Sequence, residues 1–488
     1  MLQKEVGEQK LFSLFGHFSL ILLFAFTTLS AQQSFKDFKR TQSESFQTYK
    51  DERDKAFNEY LKQEWKAYTQ LKPESLYEEP KPQDIVPAKP QIIAPVGPKL
   101  YIEPKKIEKD DDNVSVHVEI EVPSKKTKNT TFDFFGTKLS FSVSEELKKS
   151  TYYPQNQIGI ANFFSKAASS DYETLLSDID LISKDMNLND WAIYLLVSKI
   201  SQMTFSDEDS ARLLSWFLLN KLGYSVKVGI ADRHVLLMHY SKKVIYATPN
   251  YKFGDKKFYA VQNYTKSIQR VFSYEQDYPK ATKELDLSLR TLPNFEKNIE
   301  KKLLSFLLLG KKYDLPISYN KNLIDFMATY PQADYETFFN TPLEKSTYND
   351  LSDAFKEYIQ GKKASESMNF VLHFVQNAFK YEVDSEQFGR EKVMFAQEAL
   401  YYDKSDCEDR AILFSYLIKE LFNINAVGIK YKDHMATALY IPLDGDSVSV
   451  KSKRYVIADP TYINATIGMS MPKYRDIKPL SYIVVKED

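Results

Sequence analysis

Ser405-Asp406-Cys407-Glu408-Asp409-Arg410-Ala411-Ile412-Leu413-Phe414 is the stretch whose reading decides the fold, and it holds the only cysteine of the chain. Ser405 or Asp406 can cap a helix, and Asp409, three residues past Asp406, can answer back to the cap residue's N–H as in a capping box. From Ala411 to Leu421 the sequence is apolar on almost every side, which predicts a buried helix with Cys407 in its first turn. A thiol there faces unpaired backbone N–H groups and the positive end of the helix dipole. Both favour the thiolate, the nucleophilic form.

A reactive cysteine also needs a base. His434 opens Met435-Ala436-Thr437-Ala438-Leu439-Tyr440-Ile441, a strand-like run after a polar turn. Further on, Tyr455-Val456-Ile457-Ala458 reads as a buried strand that ends in Asp459-Pro460-Thr461-Tyr462. The order is a helix carrying Cys, a strand beginning with His and a strand ending in Asp. Brought together, His434 would take the Cys407 proton, and Asp459 would fix the imidazole tautomer and support the imidazolium. Taken singly these residues say little. A lone cysteine is more often a small buried apolar residue than a nucleophile, and an Asp before Pro is often a turn former.

Asp406-Cys407-Glu408-Asp409-Arg410-Ala411, then a strand with His434, then Asp459-Pro460-Thr461, resembles the transglutaminase-like family of papain-like cysteine enzymes. Phe370 to Tyr381, Gln387-Phe388-Gly389 and Gln397-Glu398-Ala399-Leu400 are similar to the lead-in of bacterial members. The likeness covers about Asn349 to Pro472. It implies an α+β, papain-like core with Cys407 as nucleophile, His434 as base and then acid, and Asp459 as the orienting residue. The Cys407 N–H is the default oxyanion donor, and Gln397 is a side-chain candidate for the same role.

Composition sets the frame. At 488 residues the chain is too long for one ordinary core, so two or three domains are expected. A net charge of −1, with acids and bases interspersed, points away from a nucleic-acid partner. One cysteine excludes an intrachain disulfide. The six histidines are scattered, with no His-Glu-x-x-His pattern or Cys-x-x-Cys pair, so neither a zinc site nor any cofactor is expected.

Residues 1–31 read as a secretory signal: Leu11 to Leu29 is apolar, Lys4 and Lys10 precede it, and cleavage would fall near Ala31. Left uncleaved, residues 11–29 would anchor the chain in a membrane. Either way the chain is expected to be exported, periplasmic or secreted. Residues 32–72 predict a helical arm from Ser34 to Leu71, with aromatics at Phe35, Phe46, Phe57 and Tyr68 and again at Phe38, Tyr49 and Tyr60. That 11-residue period keeps one stripe on a nearly straight helix and suits self-association, a protein partner or docking on its own body. Residues 73–104 carry eight prolines and read as a semi-rigid spacer.

The body then echoes itself. Glu208-Asp209-Ser210-Ala211-Arg212-Leu213-Leu214-Ser215 parallels Glu408-Asp409-Arg410-Ala411-Ile412-Leu413-Phe414-Ser415 at an offset of 200. Val228-Gly229-Ile230 parallels Val427-Gly428-Ile429, and His234 parallels His434. Val244-Ile245 with Pro249 and Tyr251 parallels Val456-Ile457 with Pro460 and Tyr462. On this alignment Asp207 stands for the cysteine and Thr248 or Ala247 for the aspartate. Residues 105–260 are thus expected to form a β-rich segment and a degenerate first lobe, in which His234 is structural. Residues 261–348 form a β-rich connection, and residues 349–488 the armed lobe. The expected function is cleavage of a peptide or carboxamide bond in a protein or peptide substrate through a thioester, more by hydrolysis than by cross-linking. The alternative is an envelope scaffold or binding protein that uses the same fold without catalysis.

Overall fold

The computed structural model describes residues 51–75, 86–103, 128–261 and 268–485, and the expected signal segment lies outside them. The chain divides into two compact units, with the boundary between Gln63 and Glu64. In the first, residues 51–61 are helical, with Lys62 paired to Glu59 at 2.7 Å. The predicted arm therefore does not run to Leu71: Lys66–Thr69 is a strand, β1, and Tyr68 packs in it against Phe253 with ring centroids 4.1 Å apart. A recurring aromatic suits a strand face as well as a helix stripe, and pairing with a distant strand chose between them. The earlier repeats at 35 to 49 lie outside the described residues.

The second unit is mixed α+β. A hairpin of β2 (Thr130–Phe134) and β3 (Thr137–Phe141) precedes helices α1 (Gln157–Ala168), α2 (Glu173–Asp185), α3 (Asp190–Thr204) and α4 (Glu208–Lys221). Three of these helices start on a side-chain cap: Asn156 accepts from Ile158 N at 2.9 Å, Asn189 from Ala192 N at 3.2 Å, and Asp207 from Ser210 N at 2.7 Å. Strands β4 (Val226–Ala231), β5 (His234–Tyr240), β6 (Asn250–Phe253), β7 (Lys256–Tyr259) and β8 (Arg270–Ser273) follow. With β1 they form a sheet in the order β1-β8-β4-β5-β7-β6. Leu236, Met238, Phe253, Phe258 and Val271 build one core against it, while α4 packs on β4 and β5.

A long hairpin of β9 (Ile299–Leu308) and β10 (Lys311–Asn320) connects to the second lobe. Leu303-Leu307 lies in it as read from the sequence, whereas Leu285-Leu289 forms no strand. Helices α5 (Tyr335–Phe339), α6 (Lys345–Ile359), α7 (Ala364–Asn377), α8 (Ala396–Tyr401) and α9 (Cys407–Phe422) come next. Between α7 and α9, the two-residue strands β11 (Lys380–Tyr381) and β12 (Lys404–Ser405) pair in parallel. The second sheet uses β13 (Ala426–Lys430), β14 (Met435–Leu439), β15 (Ser447–Val450), β16 (Lys453–Ala458) and β17 (Ser481–Val484), in the order β15-β16-β14-β13-β17. The cysteine helix α9 packs on β13 and β14.

The two lobes share one topology. Read from the opposite edge, β17-β13-β14-β16-β15 repeats β8-β4-β5-β7-β6 strand for strand in chain order, with β1 an addition to the first. In each, a central helix leads through a short connection into an antiparallel hairpin. Ala231 faces His234 across the first hairpin, and Tyr431 N donates to His434 O at 2.8 Å across the second. This register keeps the offset of 200 for the histidines but moves two other parallels. Gly229 becomes the counterpart of Ile429 rather than of Gly428. The strand ending at Asp459 matches β7, so Thr248 and Ala247, in the turn before β6, are not the counterparts of Asp459. Counted along β7 in register with β5, that counterpart falls at residue 262, outside the described residues.

Residues 86–103 do not stand off as a spacer. They run extended along the second lobe: Ala88 N donates to Ile463 O at 2.9 Å, Ala364 N to Pro98 O at 2.8 Å and Leu100 N to Lys362 O at 2.9 Å. Ala88 sits in the core with Val427, Ile429 and Tyr462, and Ile102 is buried. Proline fixed the extended backbone, and intervening N–H groups and small side chains were left to dock.

Candidate active site

Cys407 is the first residue of α9, as its sequence predicts. Asp406 precedes it in extended conformation, and the Asp409 carboxylate accepts the Asp406 N–H at 3.3 Å and the Met394 N–H at 2.8 Å. The short side chain of Asp409 reaches both donors because α8 and α9 pack together. Arg410, fully buried in the same turn, donates to Ser405 Oγ at 3.1 Å, Phe379 O at 2.8 Å and Gln376 O at 3.4 Å. It ties the cysteine turn to the end of α7.

His434 and Asp459 are brought together. His434 Nε2 lies 2.8 Å from Asp459 Oδ2, and both residues are buried. Asp459 Oδ1 accepts the backbone N–H groups of Thr461 at 2.9 Å and Tyr462 at 3.2 Å, so the Asp-Pro-Thr turn clamps the carboxylate. A carboxylate accepts only, so it selects the tautomer with hydrogen on Nε2 and the lone pair on Nδ1. The imidazole stacks on Tyr474 with centroids 4.7 Å apart, and Tyr474 is anchored by its hydroxyl on Asp433 at 3.0 Å. The turn itself is held by Gln376, whose Nε2 donates to the carbonyls of Asp459 at 3.1 Å, Tyr462 at 2.8 Å and Ala465 at 3.1 Å. Gln376 lay inside the Phe370–Tyr381 lead-in, but nothing in its spacing revealed this role.

The thiol is differently engaged. Cys407 has no exposed surface, and Sγ donates to Glu408 Oε2 at 3.1 Å. Around it stand Asp384, Glu391, Asp406, Glu408 and Asp409. Burial first, and then the neighbouring carboxylates, push Asp384 up to about 9 and Asp409 up to about 7, and raise Asp406 well above the carboxylate range. Asp384 and Asp406, pushed up in this way, keep their protons at neutral pH, and the thiol hydrogen is taken up by Glu408. Tyr335 and Tyr381 are close enough to feel Cys407. Burial, with the acids of this cluster, raises both phenols, and the Tyr335 hydroxyl is buried without a partner.

Among the described residues, two carboxylate groups converge closely enough to hold a metal ion: Asp384, Asp406 and Asp409, and Asp384, Glu391 and Glu408, each set with oxygens within 4.8 Å of one another. An all-oxygen set suits a hard cation rather than zinc. No cysteine-and-histidine pattern marks it, because Asp384 and Glu391 come from the segment between β11 and α8. Gln397 proves committed elsewhere. Its Oε1 accepts Glu344 N at 3.0 Å and its Nε2 donates to Thr347 Oγ1 at 2.8 Å, so its amide holds the start of α6.

In the first lobe, Asp207, which stands for Cys407 at the offset of 200, is the N-cap of α4, the place that Asp406 holds on α9, and His234 opens β5. His234 Nδ1 binds Asp209 Oδ2 at 3.0 Å, an acid on the helix, instead of an acid in the turn after β16 as in the second lobe. No family model, curated protein or solved structure matches the chain. Among the described residues no helix is long and apolar enough to cross a membrane.

Proposed function

We propose that the chain is an exported cysteine enzyme with a transglutaminase-like, papain-like core in its second lobe, acting on a peptide or carboxamide bond. The clamped His434–Asp459 pair carries the reading: a single-tautomer imidazole, its carboxylate fixed by two N–H groups, on a strand against the helix that begins with the only cysteine. In the reaction, His434 Nδ1 takes the thiol proton as Sγ attacks the carbonyl carbon, and the Cys407 N–H donates to the oxyanion. The imidazolium then protonates the leaving amine and a thioester forms. Water, deprotonated by His434, cleaves the thioester to the acid and restores the thiol; a lysine amine in its place would give a cross-link. Since Cys407 has no exposed surface, a carbonyl can reach it only after the surrounding side chains shift and Sγ leaves Glu408.

One observation favours a second reading, a binding scaffold: the same burial, with Glu408 holding the thiol, is what an inert cysteine shows. The alkylation rate of Cys407 against pH, in wild type and His434→Ala, separates the two. Reaction well below about pH 8.5 that is lost in the variant supports the enzyme. Slow reaction in both, with an ordinary or raised midpoint, overturns it. Cys407→Ala should likewise abolish turnover of a labelled protein substrate with an unchanged circular dichroism spectrum, and residual turnover there would rule out the triad.

A further inference from the structure

The first lobe has an open cleft where the second has its buried cysteine. A cavity of about 330 Å³ is lined by Tyr152, Gln155, Asp207, Glu208, Asp209 and His234, at the start of α4 and the entry to β5. Its size is that of a small-ligand pocket. Glu208 and His234 stand at the mouth, with side chains 81% and 73% exposed, while Asp209 is nearly buried at 11%. The charge is one-sided: three carboxylates meet one guanidinium, Arg212, which lies 2.5 Å from Glu208 and 3.3 Å from Asp209. Tyr152 is 8% exposed, and its hydroxyl has no hydrogen-bond partner although it lies in the field of Asp209. A phenol hydroxyl donates and accepts, so one buried without a partner at the edge of a cleft has an oxygen lone pair open to a ligand N–H.

The chemistry narrows the ligand. Carboxylates on three positions reject an anion. A metal ion fits poorly, because among the described residues the acids that converge to ligand spacing are those around Asp384, and none of the cleft residues belongs to them. What remains is an organic cation with several donors and room for a stem. A primary ammonium has three N–H donors for carboxylate and hydroxyl oxygens. We propose that this cleft is a primary-ammonium subsite, which takes a lysine side chain or the N-terminus of a polypeptide. The lobe that lacks a nucleophile would then hold a chain for the rest of the molecule, and this assignment does not require Cys407 to react.

The test is a calorimetric or NMR titration of the full chain with three probes: Nα-acetyl-lysine methylamide, glycylglycinamide and the neutral Nα-acetyl-norleucine methylamide. Binding of either amine, with norleucine about tenfold weaker or more, supports the subsite. The lysine amide alone would assign the side chain, and glycylglycinamide alone the chain terminus. Asp207→Asn keeps the helix cap and removes one charge, so it should weaken amine binding severalfold, as should Tyr152→Phe. Cys407→Ala should bind as wild type does, which separates this result from the fate of the catalytic reading. The proposal is overturned if norleucine binds as well as lysine, if neither amine binds, or if both variants, folded by circular dichroism, bind unchanged.

Discussion

At the scale of single residues, Asp459 makes two kinds of bond whose loss should read differently. Asp459→Asn can keep the bonds from Thr461 and Tyr462 through its carbonyl oxygen while presenting an NH₂ to His434 Nε2. The imidazole must then turn its lone pair to Nε2, and Nδ1 can no longer take a proton. We expect turnover to fall by about a thousandfold or more with little change in the urea midpoint. A variant that loses stability and activity in proportion would show that the clamp, not the tautomer, matters. His239 in the first lobe provides a pH signature. It is buried against Tyr194, its ring centroid 4.7 Å from the phenol, and burial holds it down at about 3 from an ordinary 6.5. The folded chain thus resists a proton that the unfolded chain accepts. Its contribution is intact above pH 6.5 and is lost as the pH falls from there towards 3, at up to about 1.4 kcal/mol per pH unit. Urea unfolding of wild type and His239→Phe between pH 7 and 4 should show the steeper fall in wild type. Parallel slopes would contradict this burial.

At the scale of elements, the candidate site is an assembly of ends: the first turn of α9, the start of β14 and the turn after β16. Their sheet and helix supply the framework, but the end of α7 fixes their mutual placement. Gln376 holds three carbonyls of the Asp459–Ala465 turn through its side chain, and its own carbonyl accepts from Arg410 in the cysteine turn. Gln376→Ala should therefore leave three acceptors short of a donor in a buried place and destabilise the chain by about 2–3 kcal/mol. Gln376→Glu, which keeps the shape but lacks the NH₂, should be no better. A denaturant series in which glutamate restores wild-type stability would show that packing, not donation, is what Gln376 supplies. The same elements in the first lobe, with Asp207 at the cap and His234 turned to Asp209, show how little the topology itself demands of the site.

At the scale of the molecule, two lobes of one topology carry different surfaces: an open acidic cleft and a closed, fully buried thiol. The proline-rich segment belongs to the second lobe's stability rather than to its reach. Ile102 is 3% exposed, and its N–H donates to Gln360 Oε1 at 3.1 Å. Ile102→Ala should cost about 2–4 kcal/mol, as a buried truncation does, whereas in a free spacer it would cost nothing. Chemical denaturation decides between these, and an unchanged midpoint would mean that the segment does not dock in solution.

The sequence by itself determined what local periodicity and end chemistry can specify. The acid-flanked start of the Cys407 helix, the strands beyond His434 and up to Asp459, and helices near Leu351 and Met368 were legible because capping residues and apolar spacing act within a few residues. The echo between Glu208 and Glu408 was legible for the same reason. Tertiary structure decided everything that depends on a partner far along the chain. Strand pairing moved the counterpart of Asp459 away from Thr248, since register is a property of two strands and not of one. It made Lys66–Thr69 a strand although its aromatics kept helical time. The meeting of α8 with the start of α6 committed Gln397 to Glu344 and Thr347, and docking turned a proline-rich spacer into a strap. In each case the side chain's options were fixed by its chemistry, while the partner that chose among them lay tens to hundreds of residues away.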